Sequence, residues 1–250
     1  MNRIIKSVNI PASLVEGASE ATETIRKSLR EGKAISFSSL YRNDDVKRQL
    51  KLDQHNKCAY CERFLNGDYG AVEHYRPKGG YQQSLKDSLH QPGYYWLAYD
   101  WSNLLYSCDR CNTSYKRNLF PLADESKRNI DGEDISQEDP LIINSSVEDP
   151  GNHIEFHQYV VCPKQIRDKE DLKGRTTIEI FHLNTDMELV NRRMVAWGQY
   201  IRALGMLRIG QTLSAKNIPE GKALVDIAKQ SLDDITSEDS EFTGMFRYQK

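Results

Sequence analysis

Cys58-Ala-Tyr-Cys61 opens the stretch that organises this chain, and Cys108-Asp-Arg-Cys111-Asn112 with Lys116 closes it. Between them lie Glu73-His74-Tyr75-Arg76-Pro77-Lys78 and Asp100-Trp101-Ser102-Asn103-Leu104. Two Cys-x-x-Cys pairs supply four thiolates, the number that a tetrahedral structural zinc takes. Cys58, Cys61, Cys108 and Cys111 are therefore expected to bind Zn²⁺. The fifth cysteine, Cys162, reads as a small buried hydrophobe. A redox protein with two reactive thiol pairs would need a thioredoxin-like βαβ setting, which the pattern does not offer.

Working outward, the spacing predicts a short strand, a turn, a second strand and a helix. Asn66-Gly67 reads as a hairpin turn, because both residues tolerate positive φ. His74 falls on the first strand. Asn112 and Lys116 fall on a helix that starts near Asp109 and ends at Phe120-Pro121. Such a unit brings a histidine, an adjacent carboxylate and a side-chain amide to one spot. Hydrolysing a phosphodiester needs a base for water, a cation for the scissile phosphate and positive groups for the backbone. His74 suits the base, with an ordinary pKa near neutrality. Glu73 and Asn112 offer the hard oxygen donors that Mg²⁺ or Mn²⁺ takes. Arg76, Lys78 and Lys116 can meet phosphate oxygens. Asn103 can bridge loop backbone groups and orient the strand that bears His74. His55, His90, His153, His157 and His182 lack such neighbours and read as structural or exposed.

The rest of the chain predicts an extended arm or edge strand over residues 1–14, a helix over 18–31 and a second over 44–55 capped by Asp44. The aromatic run 94–99 reads as core packing, and 123–140 as an acidic surface loop. A strand at 141–144 is expected to pair with 154–161. Helices follow over 172–181, 186–213 and 222–235, the long one with a broad apolar face. The end of the chain, Phe242 to Tyr248, is too apolar for a solvated tail. The 250 residues are 38% hydrophobic and 28% charged, with net charge -2, so bulk charge signals no nucleic-acid partner and phosphate binding must come from a local patch. No apolar run approaches a membrane span, and the first residues are too short and polar for a signal peptide, so no membrane association and a cytoplasmic location are expected.

The combination of Glu-His-x-Arg-Pro, Trp-x-Asn-Leu and Cys-x-x-Cys-Asn-x-x-x-Lys resembles the HNH (ββα-metal) endonucleases that carry a four-cysteine zinc site. In that resemblance the family's first histidine falls on His74, its acidic metal ligand on Glu73, its middle asparagine on Asn103 and its last position, often histidine, on Asn112. The wider pattern resembles the PtuB family of Septu antiphage systems, and of retrons with the same gene pair. It is carried by Cys-Ala-Tyr-Cys-Glu, Val-Glu-His-Tyr-Arg-Pro-Lys, Tyr-Trp-Leu-Ala-Tyr-Asp-Trp-Ser-Asn-Leu, residues 141–144 and residues 176–184. The resemblance implies an α+β protein: a zinc-stapled ββα-metal core over 58–122, N-terminal strand and helices over 1–57, and a β-hairpin and helical partner-binding region over 123–250. It also implies a defence nuclease acting on DNA or RNA with a PtuA-like, ABC-type ATPase, and in retrons with the reverse transcriptase and its msDNA. The competing reading is a non-catalytic zinc module that binds nucleic acid or protein. It accounts for the cysteines but leaves Glu73, His74 and Asn112 unexplained.

Overall fold

The computed structural model describes residues 1–65, 70–129 and 134–250. Helices and three separate two-stranded sheets make it an α+β protein. The Asn66-Gly67 turn lies outside the described residues.

The chain starts as an extended arm rather than a strand. Met1 and Ile4 are buried, and the Ile4 amide donates to the Ser145 carbonyl at 2.8 Å. Helix α1 (Ala12–Arg30) begins earlier than expected, because Pro11 pre-sets the entry and Leu14 joins Ile25 in the core. Helix α2 (Asp44–Asp53) buries Val46 and Leu50. Asn43, not Asp44, occupies its N-cap, and the left-handed backbone of His55 (φ 50°) and Asn56 (φ 55°) lies beyond its end. Asp45 accepts from the amide and hydroxyl of Ser13, at 2.9 and 2.7 Å, and so ties α2 to α1.

Strands β1 (Gly70–His74) and β2 (Leu104–Cys108) pair antiparallel, with His74 opposite Leu104 and Gly70 opposite Cys108. Position 70 must be glycine: a Cβ there would sit 2.2 Å from the Tyr106 ring. A seven-residue segment, Arg110–Lys116, follows β2 directly and is wound as a π-helix. The aromatic run packs inward, with Tyr94, Ala98 and Tyr99 buried.

Residues 141–144 form no strand. Ile142 and Ile143 are fully buried, but their backbone groups bond to side chains, the Tyr75 hydroxyl donating to the Ile142 carbonyl and the Ile143 amide donating to Thr177. Strand β3 (Ile154–His157) pairs instead with its immediate successor β4 (Val160–Pro163), as a local hairpin. Cys162 in β4 is only half-buried, not the core residue its surroundings suggested. A short pair, β5 (Gln165–Ile166) and β6 (Lys169–Glu170), leads into α3 (Leu172–Ile180), capped by Asp171.

Helices α4 (Met187–Ala215) and α5 (Glu220–Thr236) form an antiparallel pair whose backbones meet at Gly210 and Gly221. A Cβ on Gly221 would lie 2.4 Å from the Ser214 amide. Much of the apolar face expected of α4 is left exposed or half-buried. Its buried residues are Leu189, Arg193, Ala203 and Gly210, whereas Met194, Val195, Ile201 and Ile209 are exposed.

The C-terminal segment closes the core. Phe242 and Met245 are buried, the latter on α6 (Thr243–Arg247), and Phe246 packs on Tyr200 at 4.9 Å. The Tyr248 carbonyl accepts from the Phe156 amide at 2.8 Å. One hydrophobic cluster joins the N-terminal helices, the cysteine region and the C-terminal half, with Tyr60 stacked on Phe181 at 3.9 Å. No helix among the described residues is long and apolar enough to cross a membrane.

Candidate metal centre and active-site cleft

The four cysteines come from three places in the fold. Cys58 and Cys61 lie in the knuckle after α2, Cys108 ends β2, and Cys111 sits in the π-helix. All are buried, and their sulfurs lie within 4.8 Å of one another. The Cys61–Cys108 separation is 3.8 Å. Sulfurs at the corners of a tetrahedron around zinc, at a Zn–S bond near 2.3 Å, stand about 3.8 Å apart, so the donor set fits a zinc ion. Burial pushes the Cys58 thiol up, but hydrogen bonds from Cys108, Cys111 and Cys61 outweigh it and bring it well below its ordinary value. Hydrogen bonding to Cys108 first, and then to the other sulfurs, holds the Cys111 thiol well above its own. Sulfurs packed so closely do not all ionise unaided, and a bound dication lets them do so. Gln54 locks the knuckle onto β2: its amide donates to the Lys57 and Tyr106 carbonyls at 2.9 and 2.8 Å and accepts from the Tyr106 amide at 2.8 Å.

Beside this cluster opens a cleft of about 680 Å³, lined by Glu73 and His74 of β1, Lys78, and Asn112 of the π-helix. Tyr41 forms part of its wall, edge-on to His74 with ring centroids 4.6 Å apart. His74 is only 6% exposed. Its Nε2 lies 2.9 Å from the Ala98 carbonyl. A carbonyl can only accept, so Nε2 carries the proton and Nδ1 the lone pair. Burial, then the charge of Lys78, pull its pKa down to about 3 against the opposing Ala98 hydrogen bond, so the ring is neutral at physiological pH.

Glu73 is buried against Lys116, Oε1 to Nζ at 2.6 Å, in an ion pair rather than an aligned hydrogen bond. Burial raises the Glu73 carboxyl, with Lys116 opposing. Lys116 itself is fully buried and donates to the His74 carbonyl at 2.9 Å. Glu73 and Asn112 both line the cleft with side-chain oxygens of the kind a hard divalent cation takes, as do Thr113 and Asn118.

Asn103 lies behind the cleft rather than in it. Its Oδ1 accepts from the Arg76 amide at 2.8 Å, and its Nδ2 donates to the Arg76 and Leu97 carbonyls at 3.1 and 3.0 Å. It thereby fixes the chain just past His74 and the turn carrying Ala98. Of the cations expected at a phosphate, only Lys78 lines the cleft. Arg76 is buried against Glu138 at 3.1 Å and over the Phe120 ring at 5.0 Å, and Lys116 is held by Glu73. The cleft instead gains Arg42, Lys47 and Arg117, which the sequence did not single out. Arg117 adjoins a residue that was named. Arg42 and Lys47 come from the N-terminal segment and carry no motif.

No protein-family model matches the chain. It is 39% identical over 145 residues to a Septu protein PtuB from Bacillus mycoides (strain KBAB4), covering 58% of this chain and 48% of that protein. It is 32% identical over 193 residues to a Septu protein PtuB from Bacillus thuringiensis, covering 76% of this chain and 58% of the relative. A Septu protein PtuA from the same Bacillus mycoides strain is 26% identical over 156 residues, covering 62% of this chain and 21% of that protein. The chain spans about half the length of the curated PtuB relatives it matches. Its buried four-cysteine cluster could hold a metal ion such as zinc, and its sequence is similar to Septu PtuB proteins.

Proposed function

We propose that this chain is a metal-dependent HNH endonuclease that hydrolyses phosphodiester bonds in nucleic acid, within a bacterial antiphage defence complex containing a PtuA-like, ABC-type ATPase. One observation carries the reading: Glu73, His74 and Asn112 line a single cleft, on the β1–β2 pair and the π-helix, beside the four-cysteine cluster. Zinc at the cysteines is structural. A Mg²⁺ or Mn²⁺ ion beside Glu73 and Asn112 would neutralise charge developing on the scissile phosphate and leaving oxygen.

His74 is the base. Nε2–H is committed to the Ala98 carbonyl, which orients the ring and leaves Nδ1 to take the proton of the attacking water. Unassisted, the imidazole is a weak base, because burial and Lys78 both disfavour its cation. A phosphate seated beside Lys78 offsets that charge and raises the imidazole's proton affinity, so the base strengthens when substrate is present. Asn103 holds both chain segments that frame the ring. Lys116 opposes the burial that raises the Glu73 carboxyl, a positioning task rather than direct phosphate contact.

The test is incubation of the zinc-loaded protein with supercoiled plasmid and with total bacterial RNA, in Mg²⁺ or Mn²⁺, with and without the ATPase. Divalent-ion-dependent cutting of either substrate is expected. No cutting in any arm, or cutting indifferent to the divalent ion, would leave the zinc-only interaction module as the better reading.

A further inference from the structure

The cleft collects positive charge that the HNH motif does not explain. Arg42 lies on the turn Leu40–Arg42 before α2, Lys78 follows β1, and Arg117 follows the π-helix. All three line the cleft, as does Lys47, while Glu73 is the only carboxylate among the described lining residues and is already paired with Lys116. Among the described residues, Arg42, Lys78 and Arg117 pair with no carboxylate. Lys78 rests on the Tyr41 and Phe37 rings at 4.8 and 5.3 Å, Arg42 lies over Tyr41 at 5.3 Å, and the Arg117 Nε donates to the Ser114 carbonyl at 3.1 Å. In a chain of net charge -2, this local excess is unexpected for a solvated face. Cations left unpaired around a concave wall focus a positive potential and favour a polyanion.

We propose that Arg42 and Arg117 form a phosphate clamp on either side of His74, so that the N-terminal segment is a wall of the substrate site rather than an appendage. The clamp rests on the nuclease reading for its purpose but not for its chemistry: it binds the sugar-phosphate backbone whatever the bases. Arg42 and Arg117 are both exposed, and their guanidinium groups can each take two phosphate oxygens. Arg117 leaves the π-helix at φ 50°, so its replacement should be asparagine, a residue enriched at positive φ.

The experiment measures equilibrium binding of the 250-residue chain carrying His74→Ala to fluorescent 20-mers of duplex DNA, single-stranded DNA and single-stranded RNA, over a range of KCl. The same protein carrying Arg42→Ala or Arg117→Asn is compared with it, and melting curves confirm the fold. Each change should weaken binding about tenfold at low salt. For duplex DNA each should lower the slope of log K against log salt by about 0.9, the value of one lost phosphate contact. Arg42→Lys should keep the slope, and Lys229→Ala on α5 should leave both quantities unchanged. Unchanged affinity and slope in both variants, with wild-type protein still cutting, would refute the clamp and spare the nuclease. Lost binding in both, with wild-type protein cutting nothing, would uphold the clamp and refute the nuclease. No binding of any probe by the His74→Ala protein would refute the clamp outright.

Discussion

Replacing Lys116 by methionine isolates the charge arrangement on which the cleft depends. Lys116 is fully buried, and its partner Glu73 is 4% exposed. Deleting the ammonium leaves a buried carboxylate with no counter-charge at 2.6 Å, which costs about 3–5 kcal/mol at neutral pH. At a urea slope of about 2 kcal/mol/M, the midpoint falls by about 2 M. The loss is pH-dependent, with a definite sign. Burial already raises the Glu73 carboxyl and Lys116 opposes that rise, so removing Lys116 raises it further. A carboxyl weaker as an acid in the fold than in the unfolded chain destabilises most above its folded pKa, and the penalty fades as pH falls toward the ordinary value. Each further tenfold weakening adds about 1.4 kcal/mol at high pH. Urea unfolding of Lys116→Met should therefore show a large loss at pH 8 and a smaller one at pH 5. Adding Glu73→Gln should restore most of the stability and abolish the pH dependence. The lost bond to the His74 carbonyl, about 1 kcal/mol, remains. Equal losses at both pH values, with no rescue in the double variant, would refute the pairing.

Cys58→Ser or Cys111→Ser should remove bound zinc and the cooperative melting transition together, since structural zinc contributes on the order of 10 kcal/mol to folding; metal analysis and calorimetry read both. Met245→Ala should cost about 2–5 kcal/mol in urea, and deleting residues 241–250 should yield aggregated protein rather than a folded chain short of an interface. His153 bridges Glu148 and Asp171, which raise its pKa, hydrogen bonding to Glu148 first. Its contribution should be complete below its ordinary pKa of 6.5 and fade as pH rises through the higher folded value, so stability lost in His153→Gln should shrink at alkaline pH.

The cysteine pairs, Glu73, His74 and Asn112 were legible because their chemistry is written in short spacings on adjoining elements. Long-range partners were not. Arg76 and Lys116 look alike in sequence to Lys78, yet both are buried because Glu138, in a polar loop, and Glu73 meet them. Arg42 reaches the cleft because α2 docks on β2 and the turn before α2 packs on α1, a placement set by packing rather than by local pattern. Residues 141–144 have strand composition, but the neighbouring groups that satisfy their backbone come from loops and side chains. The tail was legibly apolar, while its destination against α4 and β3 depended on contacts far along the chain.

The central claim is tested most directly by comparing wild-type and His74→Ala protein in single-turnover cleavage of the substrate that the wild type cuts, in Mg²⁺ and with the ATPase present. The base contributes proton transfer alone, so the rate should fall roughly 10²–10⁴-fold, with bound zinc, the melting transition and association with the ATPase unchanged. Cleavage by His74→Ala at the wild-type rate would contradict the account.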